Sequence, residues 1–134
     1  MTIQFSVAVR NAMLDAFEST VGTSAVLKIF DGSIPANCAA ADAGTVLATL
    51  SLPSDWMAAA SGGTKAKSGT WNASASASGT AQYFRVYDSG VTACGNQGTC
   101  SLTGGGGDMT IDNTSLAPGQ SFTVTSFTLT AGNP

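Results

Sequence analysis

The sequence predicts a mainly β protein, a β-sandwich of jelly-roll or immunoglobulin-like type, with one amphipathic α-helix at its N-terminal end. Three observations carry this. Apolar residues recur at helical spacing only before Gly22, and with a period of two after it. Glycine, proline and aspartate then interrupt the chain at short intervals, leaving room for about seven short strands. Finally, 70 of the 134 residues are Ala, Ser, Thr or Gly, a small-residue pattern that suits packed sheets better than a helical bundle. The length fits a single domain over 1–134, with the helix at about 6–21 and the sandwich at about 25–131.

The helix comes first. On a 100° wheel Asn11, Asp15 and Glu18 cluster on one side, and Val9, Ala12, Met13, Ala16 and Phe17 on the other, with Leu14 at the margin. Ser6 is placed to cap its start and Gly22 to stop it. Met13 and Phe17 are expected to be buried, and Asn11, Asp15 and Glu18 exposed. The apolar side has two readings. It closes one end of the core, the preferred reading, or it packs on a neighbouring subunit.

Strands are expected at 25–30 (AVLKIF), ending at Asp31-Gly32, and at 45–52 (TVLATLSL), ending before Pro53. The segment between them contains Pro35 and reads as a loop. Ser54 or Asp55 is placed to cap a single turn carrying Trp56 and Met57. The glycine-rich segment that follows, with Lys65 and Lys67, reads as a solvated loop. Residues 71–78 (WNASASAS) alternate strictly, with Trp71, Ala73, Ala75 and Ala77 on one face. Residues 80–87 (TAQYFRVY) form the strongest strand pattern, with Phe84 and Val86 inward and Tyr83, Arg85 and Tyr87 outward. Short strands fit 98–103 and 108–112, and glycines 104–107 read as a hairpin tip. The last strand, 121–130, slips phase near Ser126, which requires a bulge or bend for Phe84, Val86, Val124 and Leu129 to share one core.

Composition restricts the chemistry. There is no histidine, which removes imidazole catalysis and the commonest metal ligand. Glu18 is the single glutamate, and no second carboxylate is placed by sequence to pair with it as a glycosidase requires. No Gly-x-Ser-x-Gly elbow or Ser-x-x-Lys motif occurs. The four glycines lack the Lys-Ser/Thr and helix of a phosphate loop. Asp108 and Asp112 read as turn carboxylates rather than a calcium site. The five basic residues are scattered on a chain of net charge −3, so no nucleic-acid surface is expected. Apolar runs fall short of the roughly 18 residues of a membrane span, and the N-terminal stretch does not read as a signal peptide. No cofactor, metal site or catalytic residue is expected, and the protein is read as a non-enzyme. The candidate interface is the stripe Tyr83, Arg85 and Tyr87, residue types that anchor protein partners or stack on carbohydrate.

The three cysteines are an odd count. In a chain made in a cytoplasm the first expectation is three buried free thiols. In an oxidising medium Cys94 and Cys100 are the pair expected to bridge, because only they are near in sequence.

The segments IQFSVAVRNAMLDA (3–16), LKIFDGSIPA (27–36) and GGGGDMTIDNTSLAPGQSFTVTSFTLTAGN (104–133) resemble those of small virion-associated proteins of tailed bacteriophages. The resemblance runs over essentially the whole chain. It implies a structural role in the particle without placing it on capsid, neck or tail. The expected role is a capsid decoration (cement) protein, made in the host cytoplasm and assembled as a homo-oligomer on the major capsid protein of the virion. The alternative is a tail, neck or fibre component that contributes to binding a host glycan receptor. It carries over no catalytic residue.

Overall fold

The computed structural model describes residues 2–133. Its secondary structure runs α1 (Val7–Val21), β1 (Val26–Phe30), β2 (Val46–Ser51), β3 (Thr64–Ala66), β4 (Asn72–Ser74), β5 (Gly79–Thr80), β6 (Tyr83–Tyr87), β7 (Cys94–Ser101), β8 (Met109–Ile111), β9 (Ser115–Leu116) and β10 (Ser121–Thr130). The architecture is mainly β with one helix. Eight strands form one curled sheet in the order β2-β1-β6-β7-β8-β10-β3, with β4 also on β10, while β5 and β9 form a small separate pair. All pairings are antiparallel except β7 with β8. The curl brings the segment after β4 back to the β2 edge, where Ser76 N–H donates to the Leu47 carbonyl at 2.8 Å. That contact occupies a backbone acceptor on an edge that would otherwise stand open.

β10 organises the far half of the sheet. Its first residues pair with β4 and its last with β3, while its middle pairs with β8. The register against β8 shifts between Val124 and Ser126, which is the bulge required by the phase slip. Val124 and Phe127 are thereby both buried in one cluster with Phe84 and Val86, and Leu129 packs partly buried against it. Aromatic rings cross the core in a chain: Phe17 to Trp56, Trp71, Phe127 and Phe84, with successive centroids 5.6, 6.2, 5.6 and 5.4 Å apart. The Trp56 and Trp71 indole N–H groups are satisfied by the Gly22 and Ser68 carbonyls, as burial of an indole requires.

Several expectations are corrected. The alternation at 71–78 is real, with Trp71 and Ala75 buried, but the hydrogen-bonded ladder covers only β4. Small Ala and Ser side chains keep the face pattern without sustaining a full strand. Trp56 and Met57 are buried in an extended segment, not on a helical turn. The glycines at 104–107 do not tip a hairpin. They turn the chain so that β8 runs parallel to β7, with Gly104 and Gly106 in the positive-φ region that favours glycine.

Candidate functional site

α1 is capped as its sequence predicts. Ser6 Oγ accepts from Val9 N–H at 3.2 Å, and Gly22, at φ 95°, donates its N–H to the Glu18 carbonyl at 2.8 Å. Its orientation is rotated from the expected one: Phe17 packs against the core and Asp15 stays half exposed, as expected, but Met13 faces out and Asn11 and Glu18 face the sheet. The side against the sheet is formed by Arg10, Asn11, Leu14, Phe17, Glu18 and Val21, and Leu14 is its one fully buried residue. Met13 is 51% exposed. The cause is polar satisfaction. Residues 57–65 turn backbone N–H groups towards the helix, and only polar side chains can meet them. Asn11 Oδ1 accepts from Gly63 N–H, Asp15 Oδ1 from Ala60 N–H, and Glu18 Oε1 from Met57 N–H. Arg10 Nε donates to the Ala131 carbonyl at 2.7 Å. Gly63, at φ 79°, lies so close to the Arg10 guanidinium that a Cβ would collide with it.

Lys65 completes this dock. It lies on β3, 2% exposed, and is not the solvated loop residue expected. Its ammonium meets Asp15 at 2.6 Å, Glu18 at 2.8 Å and the Ala58 carbonyl at 2.9 Å, so all three N–H donors are used. Burial alone lowers the Lys65 pKa, but the hydrogen bonds to Asp15 and Glu18 outweigh it and hold the value above that of an ordinary lysine. The bond to Lys65, with that from Ala60 N–H, holds the Asp15 carboxyl below the usual range. An open cleft of about 690 Å³ runs beside these groups, lined also by Ser54, Asp55 and Met57. A lysine pinned in its charged form is a structural cation there, because a nucleophile or base would need the free amine.

The predicted stripe on β6 is also corrected. Tyr83, Arg85 and Tyr87 are 0%, 2% and 6% exposed. They point away from the core as expected, but the loop 31–45 lies over them. Arg85 Nη1 donates to Asp42 at 2.7 Å, Nη2 to the Asn37 carbonyl at 3.0 Å, and Nε and Nη2 to Gln97 Oε1. Tyr83 OH donates to the Ala43 carbonyl and accepts from Ala43 N–H. Tyr87 OH donates to Asp42, and burial with this bond pushes its pKa up to about 12. An irregular loop has no ladder for its own backbone groups, so these side chains supply the partners.

The disulfide joins Cys38 to Cys94, with Cα atoms 5.4 Å apart, and Cys100 is free and buried. The expected Cys94–Cys100 bridge fails because both residues lie on β7. Six residues of extended chain place them about 20 Å apart. A register shift at the β6–β7 pairing, where Tyr87 faces Cys94 and Val86 faces Asn96, leaves Gly95 unpaired. That extra residue swings Cys94 to the outer face beside Tyr87, where the loop delivers Cys38. Burial and nearby Asp108 push the Cys100 thiol up to about 12, well away from reactive thiolate. Asp108 accepts from Thr99, and Asp112 from Thr123 N–H, so both carboxylates hold backbone in place. Among the described residues no three His, Cys, Asp or Glu side chains converge as metal ligands, and no helix is long and apolar enough to cross a membrane.

What remains facing water is the other side of α1. Val9 and Met13 are 45% and 51% exposed there, while Ile3 and Phe5, 74% and 41% exposed, lie on the arm before the helix, and Val7, 49% exposed, opens the helix on the Leu14 side. The other large exposed apolar residues, Ile34, Val91 and Leu102, stand singly on loops. Ala8, Ala12, Ala16, Ser19 and Thr20 fill out the helix's outer side, with the half-exposed Asp15 at its margin. The arm is held: Phe5 N–H donates to Asn133 Oδ1 at 2.9 Å, and Asn133 Nδ2 returns to the Phe5 carbonyl at 3.2 Å. Sequence reasoning found the apolar face but assigned it to the core. No protein-family model, no curated protein and no solved structure matches the chain.

Proposed function

We propose that the protein is a non-enzymatic structural component of a tailed-phage virion, a capsid decoration protein that binds the major capsid lattice in many copies. The observation that carries the reading is the way α1 docks. Arg10, Asp15 and Glu18 bond to their own sheet and its loops, Asp15 while half exposed, and Val9, Met13 and the small residues around them are left facing out. Exposed apolar side chains on the outer side of an otherwise well-packed protein suit an interaction site. The two buried cations are spent on holding segments of the same chain. The Cys38–Cys94 bridge suits a protein that ends in an oxidising medium outside the cell. We read the curled sheet as a sandwich of jelly-roll or immunoglobulin-like type, whose stiffness suits a load-bearing shell component.

The rival reading, a tail or fibre component touching a host glycan, drew on Tyr83, Arg85 and Tyr87. With these beneath the 31–45 loop, the lattice reading is the better supported. The test is to strip the protein from particles, heat them, and add it back. Rebinding should raise the shell's melting temperature by mass action, with only modest salt dependence because few charges meet. Unchanged shell stability together with lost host adsorption would overturn the proposal in favour of receptor binding.

A further inference from the structure

We propose that the Cys38–Cys94 pair is a redox lock on the 31–45 loop: the loop is already seated in the reduced protein, and oxidation by a small-molecule disulfide shuts it over Tyr83, Arg85 and Tyr87. The proposal goes beyond the decoration reading and does not depend on it.

The loop's seat does not need the sulfurs. Its two ends meet where Asp31 N–H donates to the Thr45 carbonyl at 3.1 Å. Between them Gln97 Nε2 donates to the Pro35 carbonyl at 2.7 Å, Arg85 Nη2 to the Asn37 carbonyl at 3.0 Å and Arg85 Nη1 to Asp42 at 2.7 Å. Tyr83 OH bonds Ala43 in both directions. Cys38 follows one of these anchored carbonyls, in a turn that Asn37 Oδ1 closes by accepting from Ala39 and Ala40 N–H. Cys94 is fixed independently on β7, opposite Tyr87. Non-covalent bonds on both sides therefore hold the two Cα atoms at the 5.4 Å that a bridge requires.

The pair is also reachable and isolated. Both cysteines are partly exposed, so a small thiol or disulfide has access to them. Cys100 is buried, about 20 Å away along β7, and its thiol is pushed up to about 12, so it does not compete for either sulfur. The thiolate of one cysteine attacks a small-molecule disulfide such as oxidised glutathione, forming a mixed disulfide and releasing one small thiol. The thiolate of the other then attacks the protein sulfur of that mixed disulfide and releases the second. Two electrons and two protons pass to the oxidant, and a reducing thiol pool runs the same steps backwards.

The lock acts on local opening. Residues 31–45 belong to no strand, so in the reduced protein the loop lifts by breaking its individual bonds while the sheet stays whole. The bridge tethers the middle of the loop to β7 and makes that opening rarer. Tyr83, Arg85 and Tyr87 are thus within reach of solvent or a partner chiefly before oxidation.

The test uses the isolated protein. Samples are equilibrated in mixtures of reduced and oxidised glutathione, acid-quenched, alkylated in denaturant and read by intact mass. Of the three cysteines, two should be lost to alkylation in one step. Its midpoint should lie about 100-fold further towards reduced glutathione than for the same chain in concentrated urea, where only a long flexible segment links the sulfurs. In reduced wild type the NMR signal of Arg85 Nε–H, bonded to Gln97, should keep its position. Ala43 N–H should exchange about 100-fold faster than in the oxidised protein, but more slowly than in an unstructured chain. A reduced protein that loses the Arg85 signal would overturn the proposal, since the bridge would then create the seat. So would equal Ala43 exchange in both states, because nothing would be locked, and so would a midpoint unchanged by urea, because the sulfurs would not be placed in advance. A bridge that includes Cys100 would overturn it as well.

Discussion

Lys65 and Arg85 are buried to the same extent, each 2% exposed, but they hold down different kinds of segment. Lys65 anchors a helix whose backbone is already paired within itself. It needs three acceptors, two of them carboxylates, and a flanking set of side-chain bonds to the 57–65 backbone. Arg85 anchors an irregular loop that has almost no internal ladder. There the sheet contributes Arg85, Gln97, Tyr83 and Tyr87, and a disulfide is added. The difference shows what an irregular segment demands: each buried carbonyl and N–H must be met individually from outside.

Matched substitutions of similar volume sharpen the contrast. Arg85→Met strands the Asn37 carbonyl, Gln97 and Asp42 under the loop, and should cost about 3–5 kcal/mol in urea unfolding. Breaking the disulfide with Cys38→Ser should cost about 2–4 kcal/mol, read the same way without reductant, with the sheet retained by circular dichroism. Lys65→Met should cost only about 1–2 kcal/mol, because Asp15 and Glu18 are partly exposed and can rehydrate. A Lys65→Met loss equal to that of Arg85→Met would mean that helix and loop depend on their anchors alike.

The smallest effect is acid-induced. The folded Asp15 carboxyl titrates below its unfolded value of about 3.8, so the unfolded state takes up the proton first. Its contribution is present above that value and is lost as pH falls through the lower folded one. The Trp56 indole N–H, bonded to the Gly22 carbonyl at the end of α1, should move towards its free NMR position below about pH 4. On the alkaline side the helix dock weakens through Lys65 and the loop cover through Tyr87. Lys65 and Tyr87 have raised folded values, so their contributions hold below about 10 and fade above it, that of Tyr87 by about pH 12.

Period-two alternation located β1, β2 and β10 to within a residue, and β6 within a longer expected strand whose first residues pair elsewhere as β5. The bulge near Ser126 was equally legible, since a strand that changes its apolar phase must bulge or bend to keep both halves on one core. The helix ends were readable from Ser6 and Gly22, but its orientation was not. A wheel ranks faces by apolarity, whereas α1 docks on backbone donors of 57–65 that no periodicity reveals. The same limit hid the cover over β6: Tyr83, Arg85 and Tyr87 alternate as a solvated face does, and the loop that buries them has no pattern of its own. Gly95 was the one available signal for the true disulfide, a glycine beside Cys94 inside a strand, where an extra residue reverses the side of everything before it.

The clasp between Phe5 and Asn133 has a mechanical consequence. Chain segments 128 residues apart in sequence meet at one point beside α1, so the backbone is nearly a closed ring. A tensile load applied at both ends would enter at this junction, pulling the arm from Asn133 before it reached the helix and the aromatic core. Joining the ends by a short linker and opening the chain at an exposed loop should preserve the sheet, and would close the point at which such a load enters.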